Sequence, residues 1–306
     1  MKIVQFTHPG GEANPTNKEI RKGIKEWNYG SHKRKFMKAK GQYVVDVDTL
    51  SSKEDLLFWG EWEPTSKIQS LKCSKGTGVL PQYVHEPFLA KNSNNILILP
   101  TPFKGTKLRQ NTDPFIFGDY FLYSCCKQRK KSKKTGTSTF TQLGHLAKGS
   151  IILFGSTISA KNGGPYFVLD TVFVVSECKK YTPLQYKKHL CGFVPSNYGE
   201  IMGFDHWKSN DELICYKGAT FNDRVDGMYS FVPCKQATET TGFPRVILSQ
   251  EDLDFISENL NAAPKYTDIG EDSKKIWDKI YNILKEKGYE IGVNFDYIVE
   301  DVTKLI

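Results

Sequence analysis

The chain of 306 residues predicts an α+β fold: a mixed, barrel-like β-sheet core with peripheral helices and a C-terminal helical segment. Three observations carry that prediction. Ser150–Phe154 and Tyr166–Val175 are apolar, β-branched and aromatic runs flanking the turn formers Asn162-Gly163-Gly164, as in a buried strand pair. Shorter runs of the same kind recur elsewhere. Ser273–Lys287 instead repeats at helical spacing, with Ile276, Ile280, Ile283 and Leu284 in one stripe and Gly288 as its C-cap.

The elements follow in order. Lys2–Phe6 reads as a strand entering the loop His8-Pro9-Gly10-Gly11-Glu12. Residues 17–27 predict a helix ending near Trp27. Gln42–Val47 alternates apolar and polar side chains, as a half-buried strand does. Asp55–Trp62 predicts a strand with an aromatic core. Residues 64–95 are rich in turn formers and read mostly as loop. Asp113-Pro114 predicts a turn before a strand at Phe115–Tyr123. Lys127–Lys134 reads as a mobile basic loop, with six basic residues in eight. Leu213–Tyr216 and Met228–Val232 predict short strands. Ser249-Gln250-Glu251-Asp252 opens as a capping box, predicting a helix with Leu253, Ile256 and Leu260 on one face. A basic, β-rich, nucleic-acid-binding domain is expected over 1–195. An α/β segment over 196–306 is either separate or part of the same domain.

Composition narrows the setting. No apolar run reaches about 18 residues, so no membrane span or membrane partner is expected. The N-terminus turns polar too early for a secretory signal. Seven cysteines, without CxxC or zinc-finger spacing, read as free thiols in a reducing cytoplasm. No cofactor or metal is expected; His206 near Asp205, Asp211 and Glu212 is the nearest approach to a ligand set, and it reads as structural. Protein partners and oligomeric state are left open. The net charge of +8 is lopsided: residues 1–150 hold 25 Lys and Arg against 12 Asp and Glu, whereas 151–306 hold 17 against 22. A one-sided positive field attracts polyanions. The expected partner is therefore nucleic acid, DNA before RNA. Lys33, Arg34 and Lys35, and Arg129, Lys130, Lys131, Lys133 and Lys134, are the candidate phosphate contacts.

The aromatic run Phe58-Trp59-Gly60-Glu61-Trp62-Glu63 offers Trp59 and Trp62 for stacking on bases, worth about 1–3 kcal/mol per base. Glu61 is a candidate acid or base. The alternative is a core strand, with tryptophans inside and glutamates outside. His8 and Glu12, a titratable pair and further catalytic candidates, flank two glycines able to bring backbone N–H groups close to an anion. Asn111-Thr112-Asp113-Pro114-Phe115 places an amide, a hydroxyl and a carboxylate in one turn.

Two resemblances attach to these motifs. Gly149-Ser150, the run Ile151–Phe154, the run Phe167–Val175 and the tail Tyr181-Thr182-Pro183 resemble the central hairpin of PUA-like barrels, including the ASCH and EVE domains. That likeness covers roughly 70 residues and implies a reader of RNA or modified DNA bases. Asp113-Pro114-Phe115 resembles, over three residues, the turn of uracil-DNA glycosylases. It implies Asp113 as the water-activating carboxylate and Phe115 as the stacking ring for a flipped base. The His-Pro motif of those enzymes comes late in the chain, whereas here His8-Pro9 comes first. The expected function is recognition of a DNA base, modified or not, with excision by a glycosylase reaction as its extension. The alternatives are an enzyme on free nucleotides or nucleotide sugars, with phosphate held at Gly10-Gly11, and a non-enzymatic reader or adaptor.

Overall fold

Ile151-Ile152-Leu153-Phe154 is apolar at every position because both faces of its strand are buried. Ile151 and Leu153 enter one hydrophobic core, and Ile152 and Phe154 enter a second. The next strand repeats the division, with Val172 and Val174 in the first core and Phe173 and Val175 in the second. This central pair sets the architecture of an α+β, strand-rich molecule. The computed structural model describes residues 1–8, 12–28, 30–71, 83–91, 110–159, 165–207, 209–237, 245–260 and 263–301.

In chain order the first elements are β1 (Lys2–Thr7), α1 (Asn17–Lys22), β2 (Ile24–Lys25), β3 (Lys35–Asp46), β4 (Thr49–Leu50), β5 (Glu54–Gly60), β6 (Ser66–Ser70) and β7 (Tyr83–Lys91). Then come β8 (Leu122–Tyr123), β9 (Arg129–Lys131), β10 (Ser138–Phe140), β11 (Ile151–Ser159) and β12 (Pro165–Tyr181). The last are α2 (Tyr186–His189), α3 (Tyr198–Met202), β13 (Leu213–Gly218), β14 (Val232–Gln236), β15 (Val246–Leu248), β16 (Lys265–Asp268), α4 (Ser273–Glu286), β17 (Glu290–Val293) and β18 (Ile298–Asp301).

One sheet runs β16-β1-β11-β12-β13-β8, with β15 beside β12. Within it β1 and β11 are parallel and β11 and β12 antiparallel. The other runs β17-β14-β5-β3-β7-β6-β2, and β17 also pairs with β3. That extra pairing closes β17, β14, β5 and β3 into a small four-strand barrel. The barrel lies outside the β11–β12 hairpin that carries the PUA-like pattern. Strands from 1–195 and from 196–306 are hydrogen-bonded neighbours in both sheets: β16 beside β1 in one, β14 beside β5 in the other.

The helix at 273–286 forms as its spacing predicts. Trp277, Ile280 and Leu284 are its buried apolar positions, Ile276 and Ile283 pack partly against the same core, and Gly288 takes φ +78°. Other expectations are corrected. The helix predicted over 17–27 stops at Lys22, because Gly23 turns left-handed at φ +66° and leads into β2. Residues 64–95 contain β6 and β7 rather than loop alone. The basic segment at 127–134 forms part of a two-stranded hairpin, β9 with β10. Phe115–Tyr123 is interrupted at Gly118: Phe115 bridges Leu122, Phe117 bridges Phe295, and the strand itself is limited to β8. The Ser249–Asp252 cap forms, Ser249 N donating to Asp252 Oδ2 at 2.9 Å, yet no helix follows. Leu253 and Ile256 drop straight into the core. The turn at 162–164 lies outside the described residues.

Candidate functional site

The two sheets meet at a buried charged centre. His8 follows β1 and is held by its backbone N–H donating to Gly155 O at 2.8 Å. Gly155 sits at a bulge in β11, where an added Cβ would come within 2.2 Å of Val168 O, so only glycine fits. Arg34 precedes β3 and also reaches Gly155 O, at 3.4 Å. Beyond the end of β5, Glu61, Trp62 and Glu63 are all buried. The sequence alternative of tryptophans inside and glutamates outside therefore gives way: the glutamates are inside as well. What makes that tolerable is a run of opposite charges.

The run begins where Arg245 Nη1 faces Glu12 Oε1 at 3.8 Å. Arg245 Nη2 donates to Asp170 Oδ1 at 2.7 Å, and Asp170 Oδ2 lies 3.0 Å from Arg34 Nε. Arg34 Nη1 faces Glu61 Oε2 at 3.5 Å. Glu61 Oε1 lies 2.9 Å from His32 Nδ1 and 3.8 Å from His8 Nδ1. His32 Nδ1 lies 3.5 Å from Glu63 Oε1, and Glu63 Oε2 lies 3.3 Å from Lys35 Nζ. Lys35 also donates to Trp62 O. A buried charge without such a neighbour would cost several kcal/mol.

The alternation sets the protonation states. Burial alone would raise the Glu61 carboxyl, but His8, Arg34 and His32 hold it well below the usual carboxylate range. Burial would lower His32; with no ion between them, the facing carboxylates of Glu61 and Glu63 overturn that and push it up to about 11. Burial likewise opposes the Arg34 charge, and Glu61 and Asp170 restore it.

Asp113 forms the neighbouring wall. Its Oδ1 accepts from Ser124 N at 2.9 Å, and its Oδ2 accepts from Cys125 N at 3.0 Å, Cys126 N at 2.8 Å and Cys125 Sγ at 3.1 Å. Its own N–H donates to Glu61 Oε2 at 3.3 Å, which ties the turn to the centre. Burial raises the Asp113 carboxyl above its ordinary range, against the pull of these donors, and pushes the Cys125 thiol up strongly. Asn111 donates to Cys125 Sγ. From Cys126 the chain passes through Lys127, at φ +58°, into the β9–β10 hairpin; Lys127 Nζ donates to Thr7 O at 3.0 Å, beside His8.

The sequence candidates thus separate into three groups. His8, Arg34, Lys35, Glu61, Asn111 and Asp113 come together in the interior around this centre, and Glu12, its side chain 37% exposed, joins only at the edge through Arg245. Arg34 and Lys35 are internal partners of carboxylates rather than phosphate contacts, which leaves Lys33 as the exposed member of that trio. Trp59, Trp62 and Phe115 are core side chains at 4%, 0% and 0% exposure. Arg245 covers the Trp59 ring at 4.4 Å, and Phe117 and Tyr297 pack on Trp62, so neither indole has a face open to a base in this conformation. Lys130, Lys131, Lys133 and Lys134 stand exposed on the hairpin, while Arg129 is turned back onto Ser138 and the Glu212 carbonyl. Gly10 and Gly11, the expected phosphate loop, lie outside the described residues, as does the His206 side chain.

Sequence reasoning missed His32, Glu63, Asp170 and Arg245 as members of the site. The available signal was Glu61 and Glu63 two apart in extended chain, hence on one face, inside an otherwise apolar run. Two sets of metal-ligating atoms lie close together: those of His8, His32 and Glu61, and those of Asp113, Cys125 and Cys126. A separate cleft of about 370 Å³, lined by Tyr166, Phe167, Leu248, Gln250, Ile256 and Leu260 among others, has none of these residues in its wall. No family model, curated protein or solved structure matches the chain. Among the described residues no helix is long and apolar enough to cross a membrane.

Proposed function

We propose that this protein binds nucleic acid, holding its phosphates with the β9–β10 hairpin. The observation that carries the reading is that Lys130, Lys131, Lys133 and Lys134 are all exposed on one short hairpin. Among the described residues none of the four is paired with a carboxylate, unlike the basic side chains at 34 and 35. Charges left unpaired on an exposed surface are available to a polyanion. The PUA-like pattern in β11 and β12 agrees with such a ligand, and DNA is the first polymer to test. Base excision is the finer part of the expectation. It needs a carboxylate able to activate water, and the Asp113 oxygens are occupied by Ser124, Cys125 and Cys126. The proposal is therefore for binding.

The test is fluorescence anisotropy with labelled single- and double-stranded oligonucleotides over a range of salt. Four phosphate contacts predict that log K falls with log salt at a slope of about −3 for single strands and about −4 for duplex. The K130A/K131A/K133A/K134A variant is expected to lose most of that slope and at least about tenfold in affinity. Binding by that variant with the affinity and salt slope of the native chain would overturn the reading, as would no binding by the native chain at low salt.

A further inference from the structure

Glu61 and Glu63 carry the same unusual arrangement. Each is pinned by one carboxylate oxygen and leaves the other without a hydrogen bond. Glu61 Oε2 receives the Asp113 N–H and faces Arg34; Glu63 Oε2 faces Lys35. Their Oε1 atoms are buried without a hydrogen-bond partner, as is His32 Nδ1, and these three atoms converge. The side chains of Glu61 and Glu63 are 1% and 0% exposed, so water does not compensate them. His8 Nδ1 faces the same Glu61 oxygen from the end of β1.

The geometry points to a divalent cation of the zinc class at this position, bound by His8 Nδ1, His32 Nδ1 and Glu61 Oε1, with Glu63 Oε1 as a fourth donor. Imidazole and carboxylate donors sit about 2.0–2.2 Å from zinc, so two donors on one ion stand about 2.9–3.5 Å apart. The observed separations from His32 Nδ1 are 2.9 Å to Glu61 and 3.5 Å to Glu63, with 3.8 Å from His8 to Glu61. The ligand atoms of His8, His32 and Glu61 all lie within 4.8 Å of one another, so movements of about an ångström or less bring these three onto one ion, and Glu63 approaches from the His32 side. Arg34, Lys35 and the Asp113 N–H are then the outer contacts that aim the two carboxylates, as bound carboxylates in metal centres require. A nitrogen and oxygen donor set of this kind suits zinc and its first-row neighbours rather than calcium or magnesium.

The adjacent set of Asp113, Cys125 and Cys126 is the weaker host. The Asp113 oxygens already accept from three backbone N–H groups, which leaves them fewer lone pairs for an ion. The centre also opens toward solvent on the His32 side, since that side chain is 18% exposed while the glutamates are sealed. Entry and exit of the ion run past His32.

The experiment loads the full chain with zinc, dialyses it against metal-free buffer, and measures bound metal by elemental analysis, with circular dichroism to verify folding. One ion per chain is expected. It should be lost in His32→Ala, the partly exposed ligand whose removal disturbs the interior least, and retained in Cys126→Ser. Should His32→Ala fail to fold, the native chain loaded with cobalt(II) decides: visible bands without a sulfur-to-metal charge-transfer band support nitrogen and oxygen ligation. No stoichiometric metal in the native chain, retention by folded His32→Ala, or loss in folded Cys126→Ser each overturns the proposal. So does a thiolate band in the cobalt form. Oligonucleotide binding is read independently, so the outcome here leaves the hairpin proposal standing or falling on its own test.

Discussion

His85 on β7 makes the stability of this protein acid-sensitive in a defined window. The ring is 1% exposed. Its Nε2 lies 3.3 Å from Ala13 O, a carbonyl that can only accept, so Nε2 carries the proton. Nδ1 then accepts from Ser66 Oγ at 3.0 Å, and the neutral ring is fully satisfied. Burial, followed by the positive charge of Lys35, lowers its pKa to about 4. The unfolded chain takes up this proton near the ordinary value of about 6.5, whereas the folded chain refuses it until about 4. The unfolded state therefore binds more protons across that interval. Stability is full above pH 6.5 and falls as pH drops toward 4, by about 3 kcal/mol in all, or about 1.4 kcal/mol per pH unit in mid-window. The perturbation is His85→Gln, which keeps an N–H for Ala13 and does not titrate. Urea unfolding of both proteins at pH 7, 6, 5 and 4.5 isolates the histidine, because the other titrating groups are common to both. The stability difference between them should narrow or reverse by the stated amount as pH falls. A difference that stays constant from pH 7 to pH 4.5, or a His85 proton resonance titrating near 6.5 in the folded protein, would refute the reasoning.

Arg34→Met leaves Glu61 and Asp170 buried beside one another without their shared cation, and a loss of about 3–5 kcal/mol is expected in urea unfolding. Gly155→Ala drives a methyl group against the Val168 carbonyl at the β11 bulge, so it should destabilise by about 1–3 kcal/mol or more. Its melting temperature should fall well below that of an alanine placed at the exposed Gly30, where an added Cβ meets only Asn28 Oδ1 at 3.7 Å.

Much of the scaffold is legible in the sequence, and the reason is periodicity. The apolar runs of β11 and β12 and the stripe of α4 are long enough to declare their type. What fails is short or decided elsewhere. Ser249–Asp252 writes a helix start whose side-chain bonds all form, yet Leu253 and Ile256 gain more from the core than from a helix. The site is half legible. His8, Glu61 and Asp113 are odd enough in their local context to be singled out. Trp59, Trp62 and Phe115 have the right chemistry for stacking but spend it in the interior. Arg34 and Lys35 read as surface charge because nothing local reveals that Asp170, Glu61 and Glu63 await them. Asp170 lies inside an apolar strand and Arg245 is 75 positions away along the chain, so only the tertiary structure could join them.

The seam of the four-strand barrel has a consequence for how the chain is made. β17 closes the ring against β3, with Gly292 opposite Tyr43, so the two edges are about 250 positions apart in synthesis. At the usual about 5–20 residues per second, the edge of β3 waits on the order of ten to fifty seconds for its partner. Until then the β3 edge at Gln42 and Tyr43 lacks its strand partner, and an open strand edge is the kind of surface that recruits other chains. The step most exposed to aggregation is therefore late zippering of the barrel seam, and proteolytic removal of residues 290–293 would reopen the same edge in the finished molecule.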